Sequence, residues 1–298
     1  MRALITGGRG FVGGWLATHL HESGDEVVVI DREVDVTDAQ QIGPAVARAE
    51  PDAIYHLAAM THVGESWDAP TEVLRVNVLG TAAVLAAART VSPSPTVLAV
   101  SSAEVYGTVR PEDLPVAETA PVAPVTPYAA SKAAAEQVAL QAWRGYGQPV
   151  IVVRPFNHVG PGQSSSFAVS ALARRVVAAR RAEADRIPVG TMSTRRDFTD
   201  VRDVVRAYRD LVERGERGAV YNVCSGRDVA ISEVAEQLLA LAGLDARLET
   251  DPELVRPVDV PVLRGDSGRI AGAIGWEPTI DLRQTLTDVL AYWDSQPG

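Results

Sequence analysis

The stretch from Arg2 to Asp31 constrains the fold more than any other. Arg2-Ala3-Leu4-Ile5-Thr6 reads as a short apolar strand. Gly7-Gly8-Arg9-Gly10-Phe11-Val12-Gly13 follows, then an amphipathic helix to about Ser23 and a turn at Gly24-Asp25. Val27-Val28-Val29-Ile30 is a continuous apolar run, typical of a strand buried on both faces of a parallel sheet, and Asp31 ends it. This is a βαβ unit with G-x-x-G-x-x-G at its turn and an acid 18 residues past the last glycine. A glycine pattern alone is weak; strand before, helix after and an acid at that distance make it a strong dinucleotide signal. The glycines let backbone approach a pyrophosphate at the helix N-terminus. Asp31 is placed to accept from both ribose hydroxyls. Gly7, Gly10, Phe11, Val12, Gly13 and Asp31 are therefore expected cofactor contacts, with Arg9 and Arg32 flanking the same ribose.

The βα rhythm continues. A helix is expected over about 38–50, a strand over 53–57 running into His56-Leu57-Ala58-Ala59, and a long helix over about 68–91 that contains Asn77. Strand 96–100 ends in Ser101-Ser102-Ala103-Glu104, and strand 149–153 in Arg154-Pro155-Phe156-Asn157-His158. Such alternation predicts an α/β fold, a doubly wound parallel sheet. Ligands sit beyond the carboxyl ends of its strands. Gly7, Ala58, Ser102 and Asn157 all fall there, so four stretches converge on one crevice. After 155 the rhythm loosens. Helices are expected at about 201–214, 231–242, 266–274 and 282–294, and a strand at 219–223. The expected division is a dinucleotide-binding unit of 1–155 plus about 198–223, and a smaller α/β substrate-binding lobe of about 156–197 and 224–298.

Lys132 is the only lysine among 28 Lys and Arg residues. A composition this averse to lysine keeps an amine for a reason: an ammonium is compact and changes its pKa or partner readily. Thr126 is a good N-cap, Pro127 suits the first helical position, and an alanine-rich run follows. Tyr128 and Lys132 then share one helix face, a turn apart. The nearby cation and the helix N-terminus are expected to lower the tyrosine pKa from about 10, giving a proton donor usable near neutral pH.

The formal charge of −10 and the lack of a basic stripe argue against nucleic acid or anionic membrane as partners. No run of 18 apolar residues appears, so no membrane span is expected, and the immediate opening strand leaves no room for a signal peptide. The single cysteine, Cys224, excludes an internal disulfide framework and fits a cytoplasmic location; it follows an apolar strand and reads as a buried spectator. No Cys/His/carboxylate spacing suggests a metal site.

The Thr6–Gly13 loop, His56-Leu57-Ala58-Ala59, Asn77, Ser102, and Tyr128 with Lys132 resemble the extended short-chain dehydrogenase/reductase family, over essentially the whole chain. Within it, Phe156–Gln163, Arg196–Asp203, Tyr221–Gly226 and Arg256–Pro261 most resemble GDP-4-keto-6-deoxy-D-mannose reductases; the related GDP-mannose 4,6-dehydratases share part of this and are usually longer. The resemblance implies an NAD(P)H-dependent oxidoreductase acting on a nucleotide sugar, with a GDP-sugar favoured. It makes Tyr128 the general acid at the sugar C4 oxygen. Lys132 lowers the tyrosine pKa and holds the nicotinamide ribose, and Ser102 hydrogen-bonds the C4 oxygen. Asp31 takes the adenosine ribose, Asp35 and Val36 border adenine, and Leu57, Ala58, Ala59 and Asn77 complete the cofactor site. Asn157 meets the nucleotide sugar, Arg196 and Arg256 its diphosphate. NAD(H) is the implied cofactor because Asp31 repels a 2′-phosphate; Arg9 and Arg32 leave NADP(H) open.

Two departures matter. Ala103 stands where the family's glucose-nucleotide dehydratases carry an aspartate acid, which disfavours that sub-class. Asp259 stands where glutamate is expected after Arg-Pro. Glu104 reads three ways: base at C5, sugar ligand, or partner in an ion pair. His62 and His158 read as sugar ligands or as hydrogen-bonded structural residues, and His56 as core. A dehydratase or epimerase that recycles a bound cofactor, and a regulator that has lost chemistry, are the rival readings; the retained lysine argues against the last. Small apolar residues on the helices at about 68–91 and 127–146 suggest a homodimer through an isologous four-helix contact.

Overall fold

The structure is a computed structural model and describes residues 1–254 and 260–297. The first half alternates β1 (Arg2–Thr6), α1 (Phe11–Glu22), β2 (Glu26–Ile30), α2 (Ala39–Ala49) and β3 (Ala53–His56). Next come α3 (Pro70–Leu74) and α4 (Gly80–Ala88), continuous through a π-helical turn at Arg75–Leu79, then β4 (Thr96–Val100), α5 (Pro127–Tyr146) and β5 (Val150–Pro155). The second half holds β6 (Asn157–Val159), α6 (Ala168–Arg181), β7 (Arg186–Val189), β8 (Arg195–Asp200), α7 (Val201–Arg214) and β9 (Val220–Val223). It continues through β10 (Asp228–Ala230), α8 (Ile231–Ala242), β11 (Arg247–Thr250), β12 (Val262–Leu263), α9 (Gly268–Ile274) and α10 (Leu282–Ser295).

Six parallel strands form the main sheet in the order β2-β1-β3-β4-β5-β9. The order reverses at β1, so the crevice between the ends of β1 and β3 is the topological switch point where such sheets bind ligands. One face packs Leu16 and Leu20 of α1 and Val204, Val205 and Leu211 of α7 on the sheet. The other packs Ile42 and Val46 of α2, Val84 and Leu85 of α4, and Ala139 and Leu140 of α5. The inner strands are buried on both sides, which is why they read as unbroken apolar runs. By length and composition alone the continuous helix Pro70–Ala88 is apolar enough to cross a membrane. Here it packs against α2 and α5 as a core helix.

β8 is the spine of the second half. It pairs with β10, β12 and β6, while β7 pairs with β11 some sixty residues on. A separate core joins Leu172, Val176 and Val177 of α6 to Val234 and Leu238 of α8 and Leu286 and Val289 of α10. Only Phe156 separates β5 from β6, and β8 runs directly into α7. α9 and the turn after it return to the first core with Ile270, Ile274 and Trp276. The Trp276 indole donates to the Asp203 carbonyl at 3.0 Å, and the Asp203 carboxylate accepts from Thr279 and Ile280 backbone amides at 2.9 and 2.8 Å.

Candidate active site

One cleft of about 1570 Å³ runs along the carboxyl ends of the strands. Its first end is the turn between β1 and α1, lined by Gly7, Gly10, Phe11, Val12 and Gly13. Gly7 sits at φ +68°, and a Cβ there would lie 2.8 Å from the Ala58 nitrogen. A Cβ on Gly13 would lie 2.5 Å from the Gly7 carbonyl oxygen. Both glycines are thus required by backbone approaching backbone. Gly10 caps α1 without a side-chain hydrogen bond, and no acidic residue stands in the first turn. The orphan amides of that turn therefore suit an anion supplied from outside. Asp31, Arg32, Asp35 and Val36 line the same end. The Asp31 oxygens accept from the Arg9 and Arg32 amides at 2.8 and 2.9 Å. The Arg9 guanidinium pairs with Glu33 at 2.8 Å.

Leu57, Ala58 and Ala59 line the wall beyond β3. Behind them, the buried His56 ring bridges Thr6 at 2.8 Å and Thr81 at 3.1 Å, and burial holds it neutral with a pKa down to about 3. His56 is core, as its sequence suggests. Asn77 is a correction. It does not line the cleft and is 2% exposed. Its amide donates to the Met60 carbonyl at 3.0 Å and to Ser131 Oγ at 2.8 Å, and its oxygen accepts from the Met60 amide at 2.8 Å. Asn77 lies in the π-helical turn and braces the wall beyond β3 against α5.

The middle of the cleft holds Ser102, Glu104, Tyr128 and Lys132. Ser102 leaves the end of β4 in extended conformation and caps a short 3₁₀ turn, its Oγ accepting from the Glu104 amide at 3.2 Å. Thr126 Oγ caps α5 by accepting from the Ala129 amide at 3.0 Å, with Pro127 at the first helical position. That fixes Tyr128 and Lys132 one turn apart, both buried. Lys132 Nζ donates to the Val100 carbonyl at the end of β4 at 2.7 Å. One turn further, Glu136 forms a buried ion pair with Arg154 of β5 at 2.5 Å, so α5 is pinned to two strands.

Here the expected electrostatics is corrected. The Tyr128 phenol is not lowered; burial pushes it up to about 12, against the pull of the Ser102 hydroxyl and with the Glu104 charge adding to the rise. The Lys132 ammonium is itself pulled down to about 8 by burial. Depth in the cleft outweighs the charge pairing that the spacing suggests.

The far end is lined by Asn157, His158, Ser164–Phe167, one face of α6, Gly190–Met192, Thr194 and Arg196. His158 stacks on Phe11, centroids 6.1 Å apart, with Nδ1 3.1 Å from the Phe156 carbonyl. His62 meets the Phe167 ring edge-on. Arg196 is largely buried, and its Nη1 donates to the Val260 carbonyl at 2.6 Å. Arg256 and Asp259, expected at this end, lie outside the described residues. Phe167 and the Thr191–Thr194 turn carry no motif, and only their placement reveals them. Cys224 is buried away from the cleft, its thiol pushed up by burial.

Fold and site together define an oxidoreductase class: a doubly wound sheet with a dinucleotide turn, and a Ser-Tyr-Lys group over it. The sequence pattern of the GDP-mannose 4,6 dehydratase family matches residues 32–289. The chain is 38% identical to GDP-6-deoxy-D-mannose reductase of Pseudomonas aeruginosa, over 99% of this chain and 98% of that protein. It is 31% identical to a dTDP-glucose 4,6-dehydratase of Neisseria meningitidis over 98% and 93% of the two chains. Among solved structures, RMD from Pseudomonas aeruginosa complexed with NADPH superposes with a TM-score of 0.92 at 37% identity, covering 99% of each chain. UDP-glucose 4-epimerase of Thermus thermophilus in complex with NAD gives 0.89 at 27%, again with 99% of each. The chain belongs to the extended short-chain dehydrogenase/reductases, within the GDP-mannose 4,6 dehydratase family.

Proposed function

We propose that the chain is an NAD(P)H-dependent reductase of a nucleotide-activated 4-keto-6-deoxyhexose, with GDP-4-keto-6-deoxy-D-mannose as substrate and GDP-6-deoxy-D-mannose as product. The observation that carries this is the end-to-end match to a reductase of that type at 38% identity. Two features of the site support it. Ala103, buried and without a proton to give, stands where a dehydratase acid would stand. Tyr128, pushed up to about 12, is a fully loaded proton donor at neutral pH, as delivery to a nascent alkoxide requires.

The glycine turn, Asp31, Asp35, Val36 and Leu57–Ala59 hold the dinucleotide, and Lys132 its nicotinamide ribose. When bound there, a reduced nicotinamide would supply hydride to C4. Tyr128 gives its proton to the C4 oxygen as that oxygen gains charge, so the carbonyl becomes an alcohol. Ser102 shares the same oxygen and holds it over the phenol. Lys132, anchored on Val100, keeps positive charge beside the tyrosinate that forms. Glu104 binds the sugar, and Asn157 and Arg196, with Arg256 and Asp259, take the nucleotide portion.

The division of labour follows the chain: 1–155 with about 198–223 for the dinucleotide, and about 156–197 with 224–298 for the nucleotide sugar. The enzyme is cytoplasmic and a homodimer. Leu74, Leu79, Trp143 and Tyr146, exposed on the α3–α4 and α5 helices, supply an apolar face for the partner. A single 32-kDa species by light scattering at micromolar concentration would sink the dimer.

The deciding assay supplies GDP-4-keto-6-deoxymannose with NADH or NADPH and follows nicotinamide absorbance. A reductase consumes cofactor stoichiometrically. Release of a 4-keto sugar from GDP-mannose, or epimer formation, without net consumption overturns the reading.

A further inference from the structure

We propose that Arg175 is a phosphate-binding residue of the cleft, contacting the nucleoside diphosphate of the substrate alongside Arg196. The proposal rests on the nucleotide-sugar reading above. α6 presents Ala168, Ala171, Leu172 and Arg175 to the cleft, the spacing of a single helix face. Arg175 is the only charged residue on that face.

The other arginines of α6 are turned toward α10. Arg174 lies over the Trp293 ring, 6.0 Å from its centroid. Arg180 pairs with Asp294 at 2.5 Å, and Arg181 donates to the Asp294 carbonyl at 2.6 Å. Arg175 is half-buried and has no ion pair or hydrogen bond among the described residues. A guanidinium held at a cleft wall without a counter-charge attracts an anion, and its fork fits phosphate oxygens.

Phe167, beside His62, marks the start of α6, and Arg175 is just over two turns further on, about 12 Å along the axis. Arg196 comes from the other side, from β8, with Nη1 committed to the carbonyls of Arg195 and Val260 at 2.9 and 2.6 Å. Two guanidiniums from separate elements thus line the same cleft. Glu65, Glu104 and Glu253 also line this cleft, so a diphosphate held here needs guanidinium contacts to offset carboxylate charge.

The test is calorimetric binding of GDP, UDP and dTDP to the full chain and to Arg175→Gln and Arg175→Lys, each checked by thermal melt. Loss of a charge-assisted contact should weaken binding of the preferred diphosphate about 10- to 100-fold in the glutamine variant, with partial recovery in the lysine variant. KM for the nucleotide sugar should rise by the same factor, and KM for the nicotinamide cofactor should not follow. A wild type that binds a nucleoside diphosphate, with a folded Arg175→Gln variant within twofold of it, overturns the role of Arg175 alone. A wild type that binds none of the three at millimolar concentration overturns the nucleotide-sugar reading as well.

Discussion

Replacing Lys132 with methionine separates what the ammonium does for the reaction from what it costs the fold. Lys132 is 6% exposed, is held by Val100 at 2.7 Å, and has its pKa pulled from 10.5 to about 8 by burial alone. At about 1.4 kcal/mol per tenfold in proton affinity, keeping that charge buried at pH 7 costs on the order of 3 kcal/mol. Methionine fills nearly the same space and removes the cost. Against this, the Val100 carbonyl loses its donor, worth about 1–3 kcal/mol. Lys132→Met should therefore be between equal to the wild type and roughly 2 kcal/mol more stable at pH 7. The folded-state pKa lies below the unfolded value, so the wild-type penalty is complete below pH 8, shrinks as pH rises, and is gone above 10.5. Activity should move the other way, falling on the order of 10²-fold or more as the tyrosine loses its charge partner. Denaturant melts at pH 7 and 9.5, run beside cofactor-consumption kinetics, test both halves. A variant that keeps activity within tenfold, or that loses more than about 2 kcal/mol at pH 7, would refute the reasoning.

Three further outcomes follow from geometry. Gly13→Ala places a Cβ 2.5 Å from the Gly7 oxygen and should abolish dinucleotide binding, at least about 100-fold by fluorescence titration, while circular dichroism keeps its helical signal; unaltered cofactor affinity would show that the turn does not carry the pyrophosphate. Glu136→Ala leaves Arg154 buried without its carboxylate and should cost about 3–5 kcal/mol in a denaturant melt, a loss below 1 kcal/mol being incompatible with the pair's burial. NADH should be accepted by the wild type, and Asp31→Asn should shift the NADPH-to-NADH ratio of kcat/KM upward by tenfold or more, since a carboxylate next to the Arg9 and Arg32 amides repels a 2′-phosphate; an unchanged ratio removes Asp31 from selectivity.

The first half of the molecule is legible in sequence because each element there carries its own signal. The β1–α1–β2 turn, the helix α2 and the strands β3 and β4 fall where apolar runs, caps and glycines put them. The second half is less so. β6, β7, β10, β11 and β12 are two to four residues long, too short to show a period, and β7 pairs with β11 across some sixty residues. At the site, residue types marked Ser102, Tyr128 and Lys132, yet their proton affinities follow from depth of burial, which no local pattern encodes. The placement of Asn77 is hidden for a related reason. Its type fits a cofactor contact, but a π-helical turn without a sequence signature rotates it onto Met60 and Ser131.

The way the main sheet is joined to the strands around β8 limits how the cleft can open. A single residue links β5 to β6, β8 passes without a break into α7, and α9 is stitched back by Trp276 and Asp203. Several short, hydrogen-bonded crossings do not share one rotation axis, so the halves lack the freedom of lobes hung on one hinge. Entry and exit of a nucleotide sugar then fall to the segments 61–67 and 164–167 at the rim, whose Trp67 and Phe167 are exposed. Small-angle scattering with and without nucleotide should give superimposable curves, while hydrogen exchange at those two segments slows.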